Sequence, residues 1–451
     1  MSNGARINHR HGVFGSSAFF WTKFGGRVMH IPSRHNLNGL PDTGEHWVLV
    51  GHGMAAMRLL EQLVEHQKPG VRMTVISGEA VGGYNRLGLS DVLAGKRSAE
   101  ALLSKPRTWY EQAGITWVQG WVEAINRTDK VISLQGGRQM GFDRLILSTG
   151  SSACLPDIPG VSGTGVQVFR TLQDADTLMQ LSSQDRAVVL GGGLLGIEAA
   201  VGLAGRGVAV TLLHRGSWLM NRQLDAFAAG WLCEALEARG VQIQLNACAT
   251  HIERADGVIT GVLFSDGQRR AANVVVAAMG VRANTELAER AGLQVDGGIV
   301  VNDQMQTSDA AIWALGECVS HRGQTYGLVA PLYEQADVLA ELLCHPHAKA
   351  TYTGSVTSTH LKVSGVPVFS SGDTSGEGTE SLVWQDRQQR HYKRLFLRAG
   401  RLVGAVLYGD IADGAFYQQL IQQKTEVDAW RNHLIFGAAH CGIDSQTQAA
   451  A

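Results

Sequence analysis

Paired cysteines are what this sequence most plainly lacks. Its six cysteines (Cys154, Cys233, Cys248, Cys318, Cys344, Cys441) stand singly, with no C-x-x-C, zinc-type spacing or iron–sulfur run. Neither a disulfide framework nor a resident metal is expected, and lone thiols fit a reducing cytoplasm. No apolar stretch approaches the roughly 18–20 residues that span a bilayer, so a soluble chain is expected. The net charge of −1 supplies no overall field to draw the chain to nucleic acid or anionic lipid. Nine prolines in 451 residues, without a repeat, exclude collagen-like and low-complexity classes. No acid precedes Asp42, whereas Arg6, Arg10, Lys23, Arg27 and Arg34 are basic. Residues 1–44 are therefore expected to be a disordered extension or an over-long translation start, with an organellar presequence as the alternative.

Glycine is abundant: 55 residues, nearly double the usual share of about 7%. In a chain without repeats it belongs to turns and ligand loops. The stretch Ala187–Ala200 shows why. An apolar run feeds into G-x-G-x-x-G (Gly191, Gly193, Gly196), and an apolar helical pattern leaves on the far side. One glycine turns the chain, one lets backbone approach a pyrophosphate, and one lets helix pack on strand. The free N–H groups and positive dipole end of the helix then face the phosphates. A near-copy lies upstream, where His46–Val50 leads into G-x-G-x-x-A (Gly51, Gly53, Ala56). Two fingerprints suggest two dinucleotides and a reaction passing between them.

Length alone suggests about three domains of 100–200 residues. After the first fingerprint come a helix Met54–Glu65, a strand Val71–Ile76, and Glu79, placed where an acid can bind a ribose diol. Further strands are read at Thr116–Val122, Val131–Leu134 and Phe142–Leu147, the last ending in Ser148-Thr149-Gly150. Pro156 and Pro159-Gly160 mark a domain crossing. The second fingerprint domain has its second strand at Val208–Leu213, ending in His214-Arg215. Apolar strands ending in Gly280 and in Gly316-Glu317 follow, then short strands at Leu361–Phe369, Ser381–Trp384, Arg394–Leu397 and Leu402–Leu407. The expected fold class is α/β. A discontinuous first domain (45–155 and 272–345) is interrupted by a second (156–271), both Rossmann-like with three ββα layers. An α+β interface domain (346–438) and a tail (439–451) follow.

Five segments carry a resemblance: Gly51–Ala56, Thr149-Gly150, Gly191–Glu198, Ala278–Leu287 and Trp313–Cys318. With them the sequence resembles the two-dinucleotide flavoproteins of the pyridine-nucleotide reductase family. Three more segments, Tyr84–Ser90, Tyr326–Glu334 and Leu361–Asp373, are similar to one branch of it. That branch comprises the flavoprotein portion of assimilatory nitrite reductase large subunits and the electron-transfer subunits of assimilatory nitrate reductases. The resemblance implies FAD at the first fingerprint and NADH, with NADPH possible, at the second. It implies that Glu79 holds the adenosine ribose, that Arg86 and Ser90 line the pyrophosphate and flavin, and that Glu317 binds the ribityl chain. Glu198 would lie at the flavin–nicotinamide junction, where relatives pair it with a Lys. Here that position is Asp91, so the pair cannot form. Hydride transfer belongs to the cofactors, and no catalytic side chain is expected. Ala80–Leu102 contains no cysteine, which excludes the disulfide-reducing branch. The expected acceptor is a separate metal-centre protein, a nitrate or nitrite reductase catalytic subunit. The alternatives are a rubredoxin or ferredoxin reductase and an NADH-responsive redox sensor.

Overall fold

The computed structural model describes residues 44–66, 70–345, 347–363 and 366–441. The expectation for residues 1–44 lies outside them, Gly44 excepted. The wholly buried strand His46–Val50 sits at the centre of a five-stranded parallel sheet. Its order is Ile312–Ala314, Arg144–Leu147, His46–Val50, Arg72–Ser77, Ile115–Gln119. Continuous apolar runs form these strands because layers cover both faces of a parallel sheet. On one side the helices Met54–Glu65 and Val329–Cys344 pack together, joined by a bidentate Arg58–Asp337 pair at 2.7 and 3.0 Å. An antiparallel sheet of Val122–Asn126, Val131–Leu134 and Gln139–Gly141 forms another layer. The run read as one strand, Thr116–Val122, is thus broken at Gly120-Trp121 and serves two sheets.

The second domain repeats the plan. Its sheet runs Val241–Gln244, Ala209–Leu213, Arg186–Leu190, Val274–Ala277, Val166–Val168, and Ala249–Ala255 with Val258–Phe264 and Arg269–Arg270 forms the small antiparallel sheet. Here the expected boundary between 271 and 272 needs correction. Val274–Ala277 pairs with Arg186–Leu190 and Val166–Val168, so it belongs to the second domain. The chain returns to the first domain only through Val281–Ala283, which lies antiparallel to the outgoing Ser151–Ala153.

The third domain is an antiparallel sheet ordered Ser358–Val363, Val366–Gly372, Arg401–Tyr408, His391–Arg398, Glu380–Asp386, covered by the helix Gly414–Gln423. The run expected as one strand, Leu361–Phe369, is split between the first two of these. The domain docks on the second one. The Asp225 Oδ2 accepts from the Tyr392 hydroxyl at 2.5 Å and from Arg394 Nη1 at 3.0 Å, and Tyr408 donates to the Trp231 carbonyl at 3.1 Å. Cys441, expected in a free tail, is buried in the core of this domain beside Tyr417 and Leu434.

Two glycines of the first fingerprint separate fold from function. Gly51 has φ +106°, and a Cβ there would stand 2.0 Å from the Ser148 carbonyl oxygen. At Gly53, which begins the helix, a Cβ would meet nothing within 4 Å. Gly51→Ala should therefore lower the unfolding free energy of the cofactor-free protein by about 2–3 kcal/mol. Gly53→Ala should change it by less than about 1 kcal/mol. Urea denaturation followed by tryptophan fluorescence measures both, and equal losses would contradict this division of labour.

Candidate functional site

Both fingerprints end strands at the same edge of their sheets, and both helices start on a bare glycine. Gly53 and Gly193 are helix N-caps in extended conformation with no side-chain cap. The first N–H groups of each helix are thus left for an anion. In the first cleft, His52 occupies the middle of the fingerprint. Its Nε2 accepts from the Gly83 N–H at 3.3 Å and lies 3.0 Å from the Tyr110 hydroxyl, while buried Nδ1 finds no protein partner among the described residues. Burial pushes this imidazole down to about 4, so the ring is neutral. Ala56 is fully buried on the helix beneath.

Glu79 stands two residues past the strand Arg72–Ser77. Its Oε2 accepts from the Tyr84 hydroxyl at 2.8 Å, and its Oε1 from Arg86 Nη2 at 2.5 Å. Arg86 Nη1 reaches on to the backbone carbonyl of Arg170 at 2.9 Å. The Arg170 guanidinium in turn donates to the Ser151 carbonyl at 2.8 Å, to the Ser151 hydroxyl at 2.7 Å, and to Glu317 Oε2. Expected residues from both segments of the first domain are therefore joined in one network, with Tyr84, Ser151 and Arg170 as members that sequence reading missed. Nothing local marks Arg170, which merely precedes a helix cap at Thr171. Ser90 lies on the short helix Leu89–Leu93 beside this network.

The crossover is equally tied. Asn284, also unforeseen, donates Nδ2 to the Thr149 carbonyl at 2.8 Å and its backbone N–H to the Gly150 carbonyl at 2.9 Å. The Asn284 carbonyl accepts from the Thr149 hydroxyl at 2.7 Å. Gly280, with φ +110°, accepts from the Cys154 N–H at 2.9 Å across the paired strands. Gly316, with φ +93°, donates its N–H to Gln335 Oε1 at 2.9 Å.

In the second cleft, Gly191 has φ +119°, and a Cβ there would lie 2.2 Å from the Ala278 carbonyl oxygen. Gly196 lets its helix sit on that turn, since a Cβ would come 1.8 Å from the Gly191 carbonyl oxygen. His214 folds beneath the loop, its Nδ1 accepting from the Gly192 N–H at 3.2 Å, whereas Arg215 is exposed at the strand end. Burial and the neighbouring Arg215 charge hold His214 below the usual imidazole range. Glu198 is one turn into the helix Leu194–Ala204, which packs on Leu89–Leu93. Burial, aided by the Asp91 carboxylate, raises Glu198 to about 7. The chain thus brings two acids together here, Glu198 and Asp91.

That pairing has a consequence for stability. The unfolded Glu198 carboxyl titrates near its ordinary 4.5 and the folded one near 7. Between these values the folded chain binds more protons, so this group's contribution falls as pH rises through the window and stays unfavourable above it. Glu198→Gln should therefore stabilise the cofactor-free protein at pH 8, by about 3 kcal/mol, and leave it nearly unchanged at pH 4.5. Urea midpoints for both proteins across this range measure the effect, and parallel curves would refute it.

The residues present fit two dinucleotides. Each bare N-cap offers backbone N–H groups at a glycine where a Cβ would meet nothing within 4 Å. Both protein hydrogen bonds to the Glu317 carboxylate fall on Oε2, leaving Oε1 for a ligand hydroxyl. Residues 45–336 match the family description "Pyridine nucleotide-disulphide oxidoreductase", and residues 358–425 match "Rubredoxin NAD+ reductase C-terminal domain". The chain is 41% identical over 84% of its length to a nitrite reductase [NAD(P)H] of Bacillus subtilis, covering 47% of that protein. It is 38% identical over 81% of its length to the assimilatory nitrate reductase electron transfer subunit of the same organism, covering 48% of it. The chain thus spans about half the length of these curated relatives. Among solved structures, the putidaredoxin reductase–putidaredoxin complex superposes with a TM-score of 0.78 at 27% identity, over 85% of this chain and 94% of that one. The chain belongs to the pyridine nucleotide-disulphide oxidoreductases, a family of FAD- and NAD(P)H-dependent enzymes.

Proposed function

We propose that this chain takes electrons from a reduced nicotinamide nucleotide and delivers them, by way of FAD, to a separate metal-centre protein of nitrate or nitrite assimilation. The observation that carries the reading is a pair of bare-glycine helix starts in two domains joined by one crossover ribbon, with no cysteine anywhere in Ala80–Leu102. With no thiol pair beside the first cleft, electrons must leave through the flavin edge to another protein. Identity to the two nitrogen-assimilation relatives over 84% and 81% of this chain favours that class of acceptor. The rubredoxin-reductase description of residues 358–425 favours a second reading, in which a rubredoxin is the acceptor.

Bound FAD supplies the redox chemistry, accepting hydride and releasing electrons; the protein supplies binding and alignment. In the first cleft Gly51, Gly53 and Ala56 admit the pyrophosphate and Glu79 binds the adenosine ribose. Arg86 and Ser90 line the groove, and Glu317 Oε1 accepts from the ribityl chain. Thr149, Gly150, Gly280 and Gly316 shape the backbone around the crossover. In the second cleft Gly191, Gly193 and Gly196 cradle NADH. Since His214 and Arg215 stand where an acid would repel a 2′-phosphate, NADPH is admitted as well. Glu198, raised to about 7, is only partly ionised at neutral pH and so places less than a full negative charge beside its helix start.

Anaerobic stopped-flow mixing tests the reading. NADH should bleach the flavin, and a purified nitrite or nitrate reductase catalytic component should restore its colour rapidly. Rapid recovery with rubredoxin alone would transfer the assignment to the second reading, and recovery with no acceptor would end both. Arg215→Ala should raise KM for NADPH about tenfold, the loss of one charge-assisted phosphate contact, and leave KM for NADH within about twofold.

A further inference from the structure

Far from both clefts, the two packed helices of the first domain end side by side. His66 is the C-cap of Met54–Glu65, and His345 is the C-cap of Val329–Cys344. Glu341 lies one turn before His345. One ligand atom from each of the three falls within 4.8 Å of the others. A point can therefore be placed within about 2.8 Å of all three, against roughly 2.0–2.2 Å for zinc bonded to imidazole nitrogen or carboxylate oxygen. Both histidine rings are solvent-exposed at helix ends, so small side-chain rotations close the difference.

We propose that His66, Glu341 and His345 bind a zinc ion that clasps the C-terminal ends of these two helices. Three features of the cluster point to a cation. First, two helix C-termini converge here, each carrying partial negative charge, and neither helix has a Lys or Arg in its last turn. Second, the His66 ring is set for coordination. Its Nδ1–H donates to the Gln62 carbonyl at 2.7 Å, which leaves Nε2 as a lone-pair ligand, the arrangement that outer-shell carbonyls impose on metal-binding histidines. Third, Glu341 Oε2 and His345 Nε2 lie 3.6 Å apart, too far for a hydrogen bond. That spacing is close to the edge of about 3.4 Å expected between ligands of tetrahedral zinc. Two imidazoles and a carboxylate suit zinc better than calcium or magnesium, which prefer all-oxygen sites, and water would complete the shell. The spacing rules that find metal motifs in sequence could not show this site, because its ligands come from opposite ends of the first domain.

The site is independent of the electron acceptor and of nucleotide binding, so its test does not use turnover. The full chain, freed of metal with EDTA, is dialysed against graded zinc chloride. Bound zinc is measured by atomic emission and thermal unfolding by tryptophan fluorescence. Wild type should bind one zinc more than His66→Ala or His345→Ala, and saturating zinc should raise its unfolding midpoint by a few degrees. Glu341→Gln should weaken this binding at least tenfold. Metal-free melting of each variant checks its fold, and Glu341→Gln decides the matter if either histidine variant melts early. Equal zinc stoichiometry and affinity in wild type and variants would place any bound metal elsewhere and overturn the proposal, as would the absence of binding.

Discussion

Beside the first glycine of each fingerprint, a backbone carbonyl stands where a side chain would otherwise begin. The oxygen of Ser148 fills the space beside Gly51, and that of Ala278 fills the space beside Gly191. Each carbonyl belongs to the strand next to a fingerprint strand, at the point where the chain is about to leave its domain. The same glycine that opens a cradle for phosphate thereby lets the crossover pass within touching distance of the cradle. Both crossover segments then pair, as Ser151–Ala153 with Val281–Ala283, so the two nucleotide sites are referred to one short ribbon.

The polar network extends this coupling through side chains. Glu79, Arg86, Arg170, Ser151 and Glu317 come from segments that are far apart in sequence, yet each is held by the next. Each cation in it meets a carboxylate, Arg86 with Glu79 and Arg170 with Glu317, so no partly buried ion of the network carries an uncompensated desolvation cost. Glu198 is the exception. Burial, with another acid as its neighbour, raises its carboxyl to about 7.

Much of this was legible in the sequence because glycine spacing reports backbone geometry directly. The fingerprints, their helices and the strand ends at Gly150, Gly280 and Gly316 needed no tertiary information. The boundary near residue 271 was not legible, for a physical reason. Val274–Ala277 and Arg144–Leu147 are both short buried strands that run into a glycine of positive φ. Which sheet such a strand joins depends on its neighbours, not on its own residues. Cys441 misled in the opposite direction, since a single thiol near a polar terminus carries no periodic signal of burial. Arg170 and Asn284 were invisible because most of their partners are backbone carbonyls and serine or threonine hydroxyls, groups that any sequence supplies.

The third domain is joined to the second by more than a linker. Tyr392, Phe396, Val406 and Tyr408 share one apolar cluster with Ile197 and Leu232 of the second domain and with Tyr84 and Leu89 of the first. A nucleotide domain cut out at its boundaries would expose part of that common interior to water. The domains look modular along the chain, but among the described residues they share an interior, so loosening the second would uncover side chains of the terminal sheet.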